Sequence, residues 1–79
     1  MNNTDKLINI FKSSFSITDD DVKIIRLNEH TSWDSVGHMT LISELEEDFE
    51  IQISIEDFVE IVSYETSLEV LKSYGISFV

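Results

Sequence analysis

The sequence predicts an all-α domain: a small four-helix bundle of three main helices and a short third one, with a long first connection. Three observations predict it. Where apolar residues recur, they do so at helical spacing, and nothing alternates for long enough to make a sheet. Residues that cap helices stand just ahead of the periodic stretches. The chain has 79 residues and 42% hydrophobic content, enough for one core but too short for a second domain, so residues 1–79 are read as a single domain.

Helix one is expected from Thr4 to Ser16, where Leu7, Ile8, Phe11 and Phe15 form one stripe. Thr4 or Asn3 can cap it, and Asp5 sits in the first turn, where the positive end of the helix dipole favours an anion. From Ile17 to Trp33 the periodicity breaks. The cluster Asp19-Asp20-Asp21, the mixed run from Val22 to Leu27 and the polar run from Asn28 to Ser32 read as a long connection with room for one short helical turn. A connection of this length in so small a domain points to function or to a structured crossover.

Helix two is expected from about Ser35 to Glu50, capped by Asp34 or Ser35, with Leu41, Ile42, Leu45 and Phe49 on its inner arc. Ser54 can cap a short third helix through Ile55, Phe58, Ile61 and Val62. The run Thr66-Ser67-Leu68-Glu69 matches the capping box and opens helix four through Leu68, Leu71 and Tyr74. Gly75 is placed to end it, because glycine takes the left-handed conformation that closes helices.

Sixteen acidic residues against five basic ones give a net charge of −11. That field repels phosphates of nucleic acid and anionic membrane, and it favours basic partner surfaces. Mutual repulsion of the carboxylates predicts a modest stability that falls at low ionic strength. The chain has no Cys, so it cannot itself supply a thiol nucleophile or a thiolate metal ligand. Its first residues lack a basic and apolar leader, and no apolar run exceeds two residues. The expectation is a cytoplasmic monomer that neither inserts in membrane nor binds nucleic acid.

Turning helix two by about 100° per residue places His38 among the inner residues and puts Val36, Met39, Thr40, Ser43, Glu46, Glu47 and Glu50 on the opposite side. Apolar residues on an otherwise acidic face describe a docking patch, in which apolar area supplies affinity and carboxylates steer a basic partner. The alternative is that the long connection covers Val36 and Met39. Ser35 stands at the helix start, where free N–H groups and the dipole stabilise a phosphate carried by the serine itself. The simpler role of Asp34 or Ser35 is to cap the helix.

The stretch Trp33-Asp34-Ser35-Val36-Gly37-His38-Met39, with Leu41-Ile42 and Leu45-Glu46-Glu47-Asp48-Phe49 after it, resembles the modification-site helix of acyl carrier proteins. Their pattern is Asp-Ser-Leu followed by an acidic, Leu-rich helix ending in Glu-Glu-x-Phe. The similarity extends through Ile53, Ile61 and Leu68 and so covers most of the chain. Val36 replaces the usual Leu, Ser32-Trp33 replaces the commoner Gly-x, and Ser54 stands where many members have Pro. The form Trp-Asp-Ser-x-Gly-His is closer to free-standing carriers of specialised pathways than to the housekeeping fatty-acid carrier.

The resemblance implies an acyl-carrier-like bundle that is no enzyme itself. It implies that a phosphopantetheinyl transferase attaches 4'-phosphopantetheine from coenzyme A to Ser35. The terminal thiol of that arm then carries an acyl group as a thioester between enzymes of a fatty-acid, polyketide or other specialised pathway. On the same basis Asp34 helps to place the transferase and its metal ion, while Val36, Met39, Glu46 and Glu47 face acyl-activating or acyl-transferring enzymes with basic docking surfaces. An aminoacyl or peptidyl carrier shares this chemistry, and an unmodified acidic adaptor shares the fold.

Other chemistries fit less well. Val22-Lys23 breaks the alternating oxygen ligands that a calcium loop would need after Asp19. His30 and His38 are too few for a metal site, and His38 is expected as a packed polar residue or as a neighbour of the arm. Asp34, Ser35 and His38 cannot align as nucleophile, base and orienter at one helix start. Trp33 either pins the connection to the bundle or contacts a partner.

Overall fold

The computed structural model describes residues 2–27, 29 and 33–78. Within them lie α1 (Asn3–Phe15), α2 (Asp19–Val22), α3 (Ser35–Phe49), α4 (Ile55–Glu60) and α5 (Tyr64–Ser73). The described residues are mostly helical and hold no strand, only an isolated antiparallel bridge between Arg26 and Ser63. The all-α class is therefore as the periodicity predicts. The polar run from Asn28 to Ser32, His30 included, lies outside the described residues except for Glu29.

The first helix begins one residue earlier than expected because its cap is Asn2, not Asn3 or Thr4: the Asn2 side chain accepts from the Asp5 N–H at 2.8 Å. Its inner stripe is Leu7, Ile10, Phe11 and Phe15, with Ile8 at the rim. In the connection, α2 is the single short turn expected there. It buries Val22, and Ile25 follows it into the core, while the Lys12–Asp19 ion pair at 3.0 Å ties the turn to α1.

Asp34 caps α3, accepting from the Gly37 N–H at 2.9 Å, and the helix packs on α1 and buries His38, Leu41, Ile42 and Leu45. It closes on Glu50, which adopts a left-handed conformation at φ 54° without being glycine. That costs about 1–2 kcal/mol relative to a relaxed backbone. The turn is held by Glu46, whose carboxylate accepts from the Ile53 N–H at 2.8 Å.

Ser54 caps α4 as expected, but the helix stops at Glu60 and does not run through Ile61 and Val62. Those two residues are needed elsewhere: Ile61 turns fully into the core, and the Val62 carbonyl accepts from the Leu27 N–H at 3.0 Å. The fifth helix then starts at Tyr64, ahead of the Thr66 start that the sequence suggests. The capping box that forms pairs Ser63 with Thr66, not Thr66 with Glu69. Ser63 is already held extended by its bridge to Arg26, and the earlier start lets Tyr64 and Ser67 join Val70 and Leu71 on the buried stripe. Gly75 ends the element at φ 87°, as its position predicts.

No residue of α4 is buried. It is held against α5 by the Tyr74 hydroxyl, which donates to Asp57 Oδ2 at 2.6 Å and accepts from the Ser54 N–H at 3.0 Å. A hydrogen bond to a charged group contributes about 1.5–3 kcal/mol. Tyr74→Phe is therefore expected to lower stability by about 1.5–3 kcal/mol and to speed amide exchange in α4 before it does so in α1 and α3. Uniform acceleration across all helices would mean that the hydroxyl does not act locally.

Candidate functional site

Ser35 is the first residue of α3 and is exposed. The cap is supplied by Asp34, so the two roles that the sequence leaves open for this pair separate: Asp34 satisfies the helix start, and the Ser35 hydroxyl is not spent on it. The α3 sequence reaches this geometry because Asp34 holds the β-region backbone of a cap and its short carboxylate reaches the Gly37 N–H, while Ser35 already belongs to the helix. The remaining N–H groups of the first turn and the helix dipole make this end favourable for an anion on the serine.

Behind Ser35 the chain is fixed by Trp33 and His38. Trp33 is wholly buried, stacked on Phe15 at 4.8 Å and edge-on to Phe11 at 5.5 Å. It thus pins the connection to the helices. Its indole Nε1–H donates to His38 Nδ1 at 3.0 Å, which makes Nδ1 the acceptor and leaves Nε2–H to donate to the Phe58 carbonyl at 2.8 Å. His38 is therefore a packed polar residue with both ring nitrogens in use, and the Phe58 ring meets it edge-on at 4.6 Å. One imidazole links the connection, α3 and α4.

On the outer side of α3, Val36 is 71% and Met39 62% exposed, so the described chain does not cover them. Thr40, Ser43, Glu47 and Glu50 continue the same exposed stripe. Glu46 is only half exposed and its carboxylate holds the turn through Ile53, so of the two glutamates proposed for docking, Glu47 alone is free of that structural duty. The last turn of α3 has no basic residue to complement the negative end of its dipole. Lys6 from α1 partly compensates, donating to the Asp48 carbonyl at 2.8 Å and lying over the Phe49 ring at 5.0 Å. Acids crowded at that end oppose helix stability.

A pocket of about 250 Å³ opens beside Ser35, lined by Leu27, Ser35, His38, Met39 and Phe58. Sequence reasoning singles out Ser35, His38 and Met39 but sets His38 and Met39 on opposite sides of the helix, and it does not bring in Leu27 and Phe58. Phe58 carried a signal: the six residues of α4 and the Ile61 that follows them bear two apolar pairs, Ile55 with Val59 and Phe58 with Ile61, and so short a helix cannot bury both. Ile55 and Val59 are the exposed pair, at 77% and 64%. Leu27 carried none, since it sits in the aperiodic connection.

No protein-family model, no curated protein and no solved structure matches this chain. Among the described residues, no helix is long and apolar enough to cross a membrane.

Proposed function

We propose that this protein is a free-standing acyl carrier of the four-helix type, in which α1, α3, α4 and α5 form the bundle and α2 belongs to its first connection. The observation that carries the proposal is the division of labour at the start of α3: Asp34 caps the helix while Ser35 beside it is exposed at the mouth of a pocket. The residues present suit an attached phosphopantetheine. The serine Oγ attacks the phosphorus bonded to the pantetheine of coenzyme A, a phosphodiester forms, the pyrophosphate bond breaks and adenosine bisphosphate leaves. The hydroxyl proton passes to a base of the transferase. When bound, the arm supplies the thiol that this cysteine-free chain lacks, so that an acyl group is carried as a thioester. The first-turn N–H groups and the helix dipole stabilise the phosphate on Ser35, and tethering raises the effective concentration of the cargo at each partner.

Incubation with coenzyme A and a promiscuous phosphopantetheinyl transferase is expected to increase the intact mass by one phosphopantetheine. A chain that stays at its original mass is no carrier, and the exposed Val36, Met39 and Glu47 would then serve an unmodified acidic adaptor.

Basic docking surfaces on the transferase and on acyl-transferring enzymes fit the acidic stripe. Glu47→Lys is expected to lower kcat/KM for transfer by about tenfold at low ionic strength, with the difference shrinking as salt is added. An unchanged rate at low salt would remove this stripe from partner recognition. Glu46→Lys is the poorer test, since it also releases the turn at Ile53.

A further inference from the structure

The pocket beside Ser35 bounds the size of the cargo. Grooves elsewhere on the described surface have charged walls, such as Lys12 and Asp19 between α1 and α2, or Asp57 and Glu60 near α5. The walls beside Ser35 hold apolar Leu27, Met39 and Phe58 with an imidazole whose nitrogens are both engaged, and among the described residues they carry no acidic or basic side chain beyond that imidazole. Such a lining accepts hydrocarbon. Its depth is limited. Inward from His38 stands Trp33, wholly buried and stacked on Phe15, so a chain that went past His38 would have to break the Trp33–His38 hydrogen bond and displace the aromatic packing of the core. At about 30 Å³ per water-sized group, 250 Å³ seats about eight non-hydrogen atoms.

Resting on the carrier reading, we infer that the pocket formed by Leu27, His38, Met39 and Phe58 seats a short apolar acyl group of about eight non-hydrogen atoms or fewer, and that Trp33 bars longer chains from the helical core. The tryptophan that forms the barrier is the chain's single one, so its fluorescence reports on that barrier directly.

The test loads the intact protein with acyl-phosphopantetheine from coenzyme A thioesters of two to sixteen carbons, using a promiscuous transferase, and records the unfolding midpoint and the Trp33 emission maximum for each. The midpoint is expected to rise by several degrees up to about eight carbons and then to level off, while Trp33 emission stays constant throughout. A midpoint that keeps rising to sixteen carbons with a shift in Trp33 emission overturns the inference, because the core has then opened. A midpoint that is flat at every length overturns it too, because the pocket is unused. In both cases the attached mass leaves the carrier reading standing. Failure to attach any arm overturns the carrier reading and, with it, the cargo limit.

Discussion

Ser35→Ala is expected to abolish phosphopantetheine uptake completely while leaving the unfolding free energy within about 0.5 kcal/mol of the parent. The two halves of this expectation have separate physical sources. Uptake needs the Oγ nucleophile, which alanine lacks. Stability does not need it, because Ser35 is exposed, sits inside the helix at its first position and leaves capping to Asp34. Alanine is also a good residue at that position on helix propensity. Asp34→Ala gives the reverse pattern: loss of the bond to the Gly37 N–H costs about 1 kcal/mol, and uptake slows without vanishing because the hydroxyl remains. Mass spectrometry and urea unfolding on the same two variants separate chemistry from structure. If Ser35→Ala still gains the mass of an arm, attachment lies at another hydroxyl and the assignment to Ser35 is wrong.

How far the sequence reveals this molecule depends on whether a feature is local. Helix α3 was legible almost to the residue, since its inner arc of His38, Leu41, Ile42 and Leu45 repeats at the helical period and a capping Asp34 precedes it. The start of α5 was not. Locally Thr66 with Glu69 is the better match to the capping box, and the choice of Ser63 with Thr66 falls to the pairing of Ser63 with Arg26, which no local pattern contains. The same division runs through the site. Ser35, Val36 and Met39 follow from a motif and a helical phase. The pocket walls Leu27 and Phe58, and the tie from Glu46 to Ile53, come from segments brought together by the fold.

That non-local part of the site hangs on the pair Trp33 and His38, which leads to the second large effect. Trp33→Ala is expected to cost about 3–5 kcal/mol, the usual range for truncating a buried large aromatic. A chain of 79 residues has a total stability of about 4–12 kcal/mol, so this variant is expected to lose a quarter of that or more. The more informative experiment retains the fold and asks how the pair is coupled. His38→Leu leaves the Trp33 Nε1–H and the Phe58 carbonyl without partners, at about 1–3 kcal/mol for each group that stays buried. In a Trp33→Phe background the indole donor is already absent, so His38→Leu is expected to cost about 1–3 kcal/mol less there than in the parent. Far-UV circular dichroism in urea measures all four chains on one scale, because the only tryptophan is itself changed. Additive losses would show that the indole and imidazole merely sit side by side. A coupling of the expected size would establish that one hydrogen-bonded pair holds the connection, α3 and α4 in register, and so fixes both the position of Ser35 and the depth of the pocket beside it.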